Sequence, residues 1–131
     1  MANTFLLKIV TPTDGVYNGE VEKVFLKNTS GNLEILANHA EMITSTIPSV
    51  IKIKNAEGKT EEIFVATAIA SVDSNGVTIC SDAAEKPDEI DLERAEKAKE
   101  RAEKRLEDNN YNKHRAELAL MRAVERIKLK R

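Results

Sequence analysis

The sequence predicts an α+β chain in two parts: an antiparallel β-sandwich, or flattened barrel, over residues 1–86, and an antiparallel two-helix hairpin over residues 87–131. Three observations carry this. Short runs rich in β-branched residues recur up to residue 84, separated by turn signals roughly every ten residues. The polarity then changes to a helical period near Pro87. From Ile90 to Arg131 there is neither Gly nor Pro to interrupt a helix except the polar break Asp108-Asn109-Asn110.

The first run, FLLKIVTP, alternates Phe5, Leu7 and Ile9 with Leu6, Lys8 and Val10. In GNLEILA, Leu33 and Ile35 alternate with Asn32 and Glu34. VIKIK, EEIFVATAIASV and GVTIC follow as further strands. Turns are expected at Thr13-Asp14-Gly15, Asn18-Gly19, Ser30-Gly31, Asn55–Gly58 and Ser74-Asn75-Gly76. Asn75-Gly76 is the best hairpin signal, because a type I′ turn takes positive φ at both central residues. Residues 38–48 are expected to form a polar loop that crosses between sheets. Cys80 ends a strand and is expected in the core; as the one cysteine it excludes an internal disulfide.

In the hairpin, Asp91 is the expected N-cap, with Ile90 and Ala95 placed to staple the first turn. Leu92, Ala95, Ala98, Ala102 and Leu106 form one stripe; Ala116, Ala119, Ala123 and Ile127 form the other. A short turn makes the helices antiparallel neighbours. A buried Ala contributes about 0.8 kcal/mol where Leu gives roughly 1.5–3, so the seam is thin. Leu118, Leu120, Met121 and Val124 lie off it and must meet either the β domain or another protein.

Charge is unevenly spread. Residues 1–90 carry a net −6, the first helix is neutral, and residues 113–131 carry +5. An acidic body with a basic last helix points to an acidic partner for that helix. No apolar run reaches the roughly 18–20 residues of a membrane span. The N-terminus has no signal-peptide pattern, so a cytosolic location is expected. No nucleophile–base constellation is visible, and with 4% aromatic residues there is no stacking platform for nucleic acid. The chain is therefore not expected to be an enzyme or a nucleic-acid binder.

The stretches VTPTDGVYNGEVEKVFL, GNLEILANHAEMIT and VTICSDAAE, followed by IDLERAEKAKERAEKRL and an Ala-rich second helix, resemble the epsilon subunit of bacterial F-type ATP synthases. GNLEILANHAEM keeps His39 and Ala40 but departs from the family's Gly- and Pro-rich pattern around them. The resemblance implies about ten strands, and a place in the rotating central stalk with the gamma subunit and the c-ring. It implies a peripheral position on the cytoplasmic face of the bacterial cell membrane. It also implies a hairpin that either lies on the sandwich or extends and inhibits ATP hydrolysis, reaching the alpha/beta catalytic core through the last helix. Expected partner contacts are Asn32, Glu34, His39 and Met42 on the sandwich, and Arg115 and Lys128 on the last helix.

IDLERA matches the family's ATP-binding signature at Ile90, Asp91, Arg94 and Ala95. On residues alone it is an N-cap with a staple. Yet Arg94 stands where a capping box places Glu or Gln, Arg94 and Arg101 share a helix face, and Arg122 and Arg126 share another. Folding the hairpin about residues 109–110 lets the four guanidinium groups line its open end and middle, where their forks suit phosphate oxygens. ATP is the expected regulatory ligand, with no required cofactor. Arg94, Arg101, Arg122 and Arg126 would meet the phosphates or base. Asp91 would accept from adenine or orient Arg94, and Glu85, Ile90 and Ala95 would shape the pocket. No Gly-rich phosphate loop or acidic metal pair is present, so binding without hydrolysis is expected. The alternative function is a stand-alone ATP sensor.

Overall fold

A computed structural model describes residues 3–131. Nine strands among them, rather than about ten, form the sandwich: β1 (Phe5–Val10), β2 (Gly15–Asn28), β3 (Gly31–Leu36), β4 (Met42–Thr46), β5 (Ser49–Asn55), β6 (Thr60–Val65), β7 (Ala68–Asp73), β8 (Gly76–Ser81) and β9 (Ala84–Glu85). A 3-10 turn, Pro87–Glu89, leads into α1 (Leu92–Glu107) and α2 (Lys113–Lys130).

The strand order is β4-β7-β8-β1-β2-β5-β6-β9, with β3 also paired to β2. All neighbours are antiparallel except β1 and β8, which run parallel. β2 is the spine. Its first half pairs with β1, its second with β3 and β5, and the register against β5 shifts between Val21 and Lys23. The alternation read in the sequence is the burial pattern: Leu7, Ile9, Val24, Ile35, Ile51, Ile53 and Ile79 face inward and pack into one core.

Four local expectations are corrected. Asn18-Gly19 is not a turn; both residues lie inside β2, paired with Lys8 and Leu7. Residues 38–48 do not form an open loop, because Met42–Thr46 form β4 against β7, where Thr46 is buried. The run EEIFVATAIASV divides at Ala66-Thr67 into β6 and β7. At the β7–β8 hairpin Asp73 pairs with Gly76, and of Asn75 and Gly76 only Gly76 has positive φ (129°). The Asp73 carboxylate accepts from the Asn75 N–H at 2.8 Å, an Asx turn that holds the loop without a left-handed Asn. Cys80 is a fifth correction: it is exposed, on the outer face of β8.

Candidate functional site

The hairpin is built as its sequence dictates. Asp91 caps α1 by accepting from the Arg94 N–H at 3.1 Å, and Asn112 caps α2 by accepting from the Arg115 N–H at 3.2 Å. At the turn the Arg105 guanidinium lies 4.8 Å from the Tyr111 ring centroid, and Lys113 donates to the Leu106 carbonyl. The seam consists of Ala95 and Ala102 against Ala116 and Ala123, all buried. Both pairs are seven residues apart, the spacing that keeps one face of a helix on its neighbour over two turns.

α2, more than α1, meets the sandwich: it packs along β5 and β6, and its side-chain hydrogen bonds to Glu85 and Pro87 lie near its C-terminus. Arg126 Nε donates to Glu85 Oε1, and its guanidinium carbon lies 4.5 Å from the Phe64 ring centroid. Leu129 packs on Phe64, Ala66 and Ile90. Lys130 donates to the Pro87 carbonyl at 3.1 Å, and Arg131 to Glu96 at 3.1 Å. The helix thus ends against residues 85–90, the segment from which the hairpin departs.

The predicted nucleotide residues fall as follows. Glu85 and Arg126 are paired directly. Ile90 is 4% exposed; the packing that defines its place is with Phe64 and Ala66 of the sandwich. Ala95 is buried in the seam. Asp91, Arg94 and Arg101 line a shallow depression on α1 with Glu93, Lys97, Glu100 and Lys104, which Arg122 and Arg126 do not reach. Helical geometry nevertheless relates the two sets. With the four alanines in the seam, the flank of α1 bearing Arg94 and Arg101 borders the flank of α2 bearing Arg122 and Arg126. The opposite flank carries the Glu96–Arg131 pair. All four arginines lie on the side of the hairpin from which Arg126 reaches the sandwich. Phe64, under Arg126, was not singled out in the sequence, because a Phe inside an apolar strand run looks like any core residue.

On the sandwich, Asn32 and Glu34 are exposed along β3, and Glu34 pairs with Lys23 at 3.5 Å. His39 is half-buried, with Nδ1 2.8 Å from the Ala40 carbonyl oxygen. Met42 packs partly on the core. Arg115 and Lys128 are exposed on α2, and Lys128 donates to Glu125 at 3.5 Å. A surface the sequence only hinted at is the outer face of β4, β7 and β8. Ile43 (77% exposed) lies opposite Ser71, and Ile69 (55% exposed) lies between Ser45 and Cys80; none of these side chains is charged. Among the described residues no helix is long and apolar enough to cross a membrane, and no group of three or more His, Cys, Asp or Glu could hold a metal ion.

A β-sandwich followed by an antiparallel helical hairpin folded on it defines the class of protein. Both parts match models of one family: the ATP synthase Delta/Epsilon chain beta-sandwich domain over residues 4–87, and its long alpha-helix domain over residues 88–130. The chain belongs to the ATP synthase delta/epsilon chain family. Its similar relatives are epsilon chains. The chain is 59% identical over 132 residues to the ATP synthase epsilon chain of Clostridium botulinum (strain Eklund 17B / Type B), covering 100% of this chain and 98% of that protein. It is 46% identical over 128 residues to the epsilon chain of Desulfitobacterium hafniense (strain Y51), covering 97% and 96%. The fold is shared with a chain of the Euglena gracilis mitochondrial ATP synthase OSCP/F1/c-ring structure (TM-score 0.80, 21% identity, covering 93% of this chain and 78% of that one). It is shared also with a chain of the Tetrahymena thermophila mitochondrial ATP synthase central stalk/c-ring structure (TM-score 0.61, 15% identity, 98% of each).

Proposed function

We propose that this chain is a non-catalytic subunit of the central stalk of a bacterial F-type ATP synthase. Its sandwich joins the gamma subunit and the c-ring, and its hairpin is a brake on ATP hydrolysis that ATP holds docked. It works as a peripheral component at the cytoplasmic face of the cell membrane. The observation that carries the reading is the make-up of the hairpin: a seam of alanines within it, and one face of α2 on β5 and β6 with the Arg126–Glu85 pair at its end. Such an arm can leave the sandwich while the main core around Leu7, Ile9 and Ile53 stays intact, at the cost of the small cluster of Phe64, Ala66 and Ile90. The exposed Ile43 and Ile69, with Ser45, Ser71 and Cys80 beside them, support a protein-covered surface on the sandwich, which suits gamma. The structural relatives from central stalk and c-ring assemblies support the same setting.

ATP enters through the arginines. With Arg94, Arg101, Arg122 and Arg126 on one side of the docked hairpin, a triphosphate relieves their mutual repulsion, and the gain exists only while the two helices stay folded together. Extended, α2 offers its cations to the carboxylates of the alpha/beta core. Arg122 and Arg126 thus serve one client or the other, which couples ATP level to inhibition.

The test is calorimetric titration of the purified chain with ATP, together with hydrolysis by a reconstituted catalytic core with and without the chain. Saturable heat at millimolar ATP or below, and inhibition that fades as ATP rises, are the expected results. Absence of heat removes the sensing role. Undiminished hydrolysis on adding the chain removes the brake. A chain that binds ATP but fails to co-purify with gamma is instead a stand-alone sensor.

A further inference from the structure

Arg126 is held from two directions. Glu85 takes its Nε–H, and the Phe64 ring lies under the guanidinium at 4.5 Å. Those two residues are themselves a cross-strand pair, Phe64 of β6 opposite Glu85 of β9, so a single ladder position supplies both halves of the support. Phe64 is 0% exposed and wedged by Ala66, Ile90 and Leu129, so its ring cannot turn aside. Nε is the inner corner of the guanidinium. With it occupied, the two terminal amino groups, which hold no hydrogen bond among the described residues, form the edge that is left. The Arg126 side chain keeps 25% of its surface exposed.

We propose that Phe64 and Glu85 form a preset seat for Arg126 and act as positioning residues for oxyanion capture. The seat freezes a flexible side chain in advance and presents its outer edge to two oxygens of a phosphate group. Preorganisation of this kind lowers the ordering cost of binding. The seat exists only while α2 is docked, because Arg126 rides on α2 and the Phe64–Glu85 pair belongs to the sandwich. The inference rests on the nucleotide reading above and adds to it a sandwich residue that never touches the ligand.

The test is site-specific replacement of Phe64 by mono-, di- and trifluorophenylalanine, which nearly preserves ring shape while draining charge from the ring face. Two quantities are read in the full chain: the exchange of the Arg126 Nε–H with water by NMR without ligand, and the dissociation constants of ATP and inorganic triphosphate. Exchange should quicken stepwise with each fluorine, and affinity for both anions should fall about tenfold across the series. Glu85→Ala should weaken both as well. Exchange that is indifferent to fluorination overturns the seat. Faster exchange with unchanged affinity overturns the positioning role, and tighter ATP binding by Glu85→Ala would make Glu85 a competitor of the phosphate instead. If the unmodified chain binds neither anion, the nucleotide reading fails, while the exchange series still decides whether the seat exists.

Discussion

Tyr17 donates its phenol to Glu61 at 3.2 Å, joining β2 to β6 across 44 residues of sequence. The same Glu61 oxygen also accepts from Asn55 at 3.3 Å. Burial first, then the Glu61 carboxylate, push the Tyr17 pKa from 10.0 up to about 12. The folded chain therefore holds this proton more tightly than the unfolded one. The stabilisation is complete below pH 10.0 and is lost as pH rises through about 12. Tyr17→Phe should flatten the fall in melting temperature across that interval. Superimposable alkaline profiles for the two proteins would show that the pair contributes nothing.

Gly76 is fixed for two separate reasons. Its φ of 129° disfavours any side chain, and a Cβ there would stand 2.2 Å from the Leu6 carbonyl oxygen, where β8 lies parallel to β1. Gly76→Ala should cost about 3 kcal/mol in urea unfolding. Gly15→Ala, which meets nothing within 4 Å, should stay within about 0.5 kcal/mol of the parent.

The alanine seam tolerates no growth. Ala102 is 1% exposed and faces α2 at close approach. Ala102→Leu should overpack it and cost roughly 1–3 kcal/mol. Hydrogen exchange should place the loss in the amides of α1 and α2 and leave those of β1 and β5 unchanged. Uniform loss over both parts would mean that hairpin and sandwich unfold as one unit.

Asp91 serves the α1 N-terminus through its contact with the Arg94 N–H. Asp91→Ala should lower hairpin stability by about 1 kcal/mol, and Asn112→Ala should do the same for α2. The two caps are at opposite ends of the hairpin, so the double variant should show the sum within about 0.5 kcal/mol. Melting followed by circular dichroism of the helical band reads all three.

Much of this molecule could be read in advance from local rules. Leu7 and Ile9, or Ala95 and Ala102, announce their burial by period alone. Asp91 announces itself as a cap. The failures have a common cause. Asn18-Gly19 is a strong turn signal locally, yet pairing with β1 on one side keeps the chain extended through it. Met42–Thr46 looks polar and loose because in this edge strand Thr44 and Thr46 take inward positions while Ile43 points outward, so apolar residues do not mark its buried face. Cys80 looks like core because β8 alternates cleanly, but its phase turns Cys80 outward and Ile79 inward. At the site, the arginines were visible as a set, whereas the Phe64–Glu85 support depends on a β6–β9 pairing that no local pattern encodes.

β2 belongs to both layers of the sandwich, bonded to β1 at one end and to β3 and β5 at the other. A push delivered to the face bearing Ile43 and Ile69 therefore travels into the opposite layer along covalent backbone and hydrogen-bond ladders, not through sliding side chains. A body wired in this way turns as a solid when something grips one side of it. The hairpin stands outside this network of ladders, joined to the body by residues 85–91 and by side-chain packing of α2.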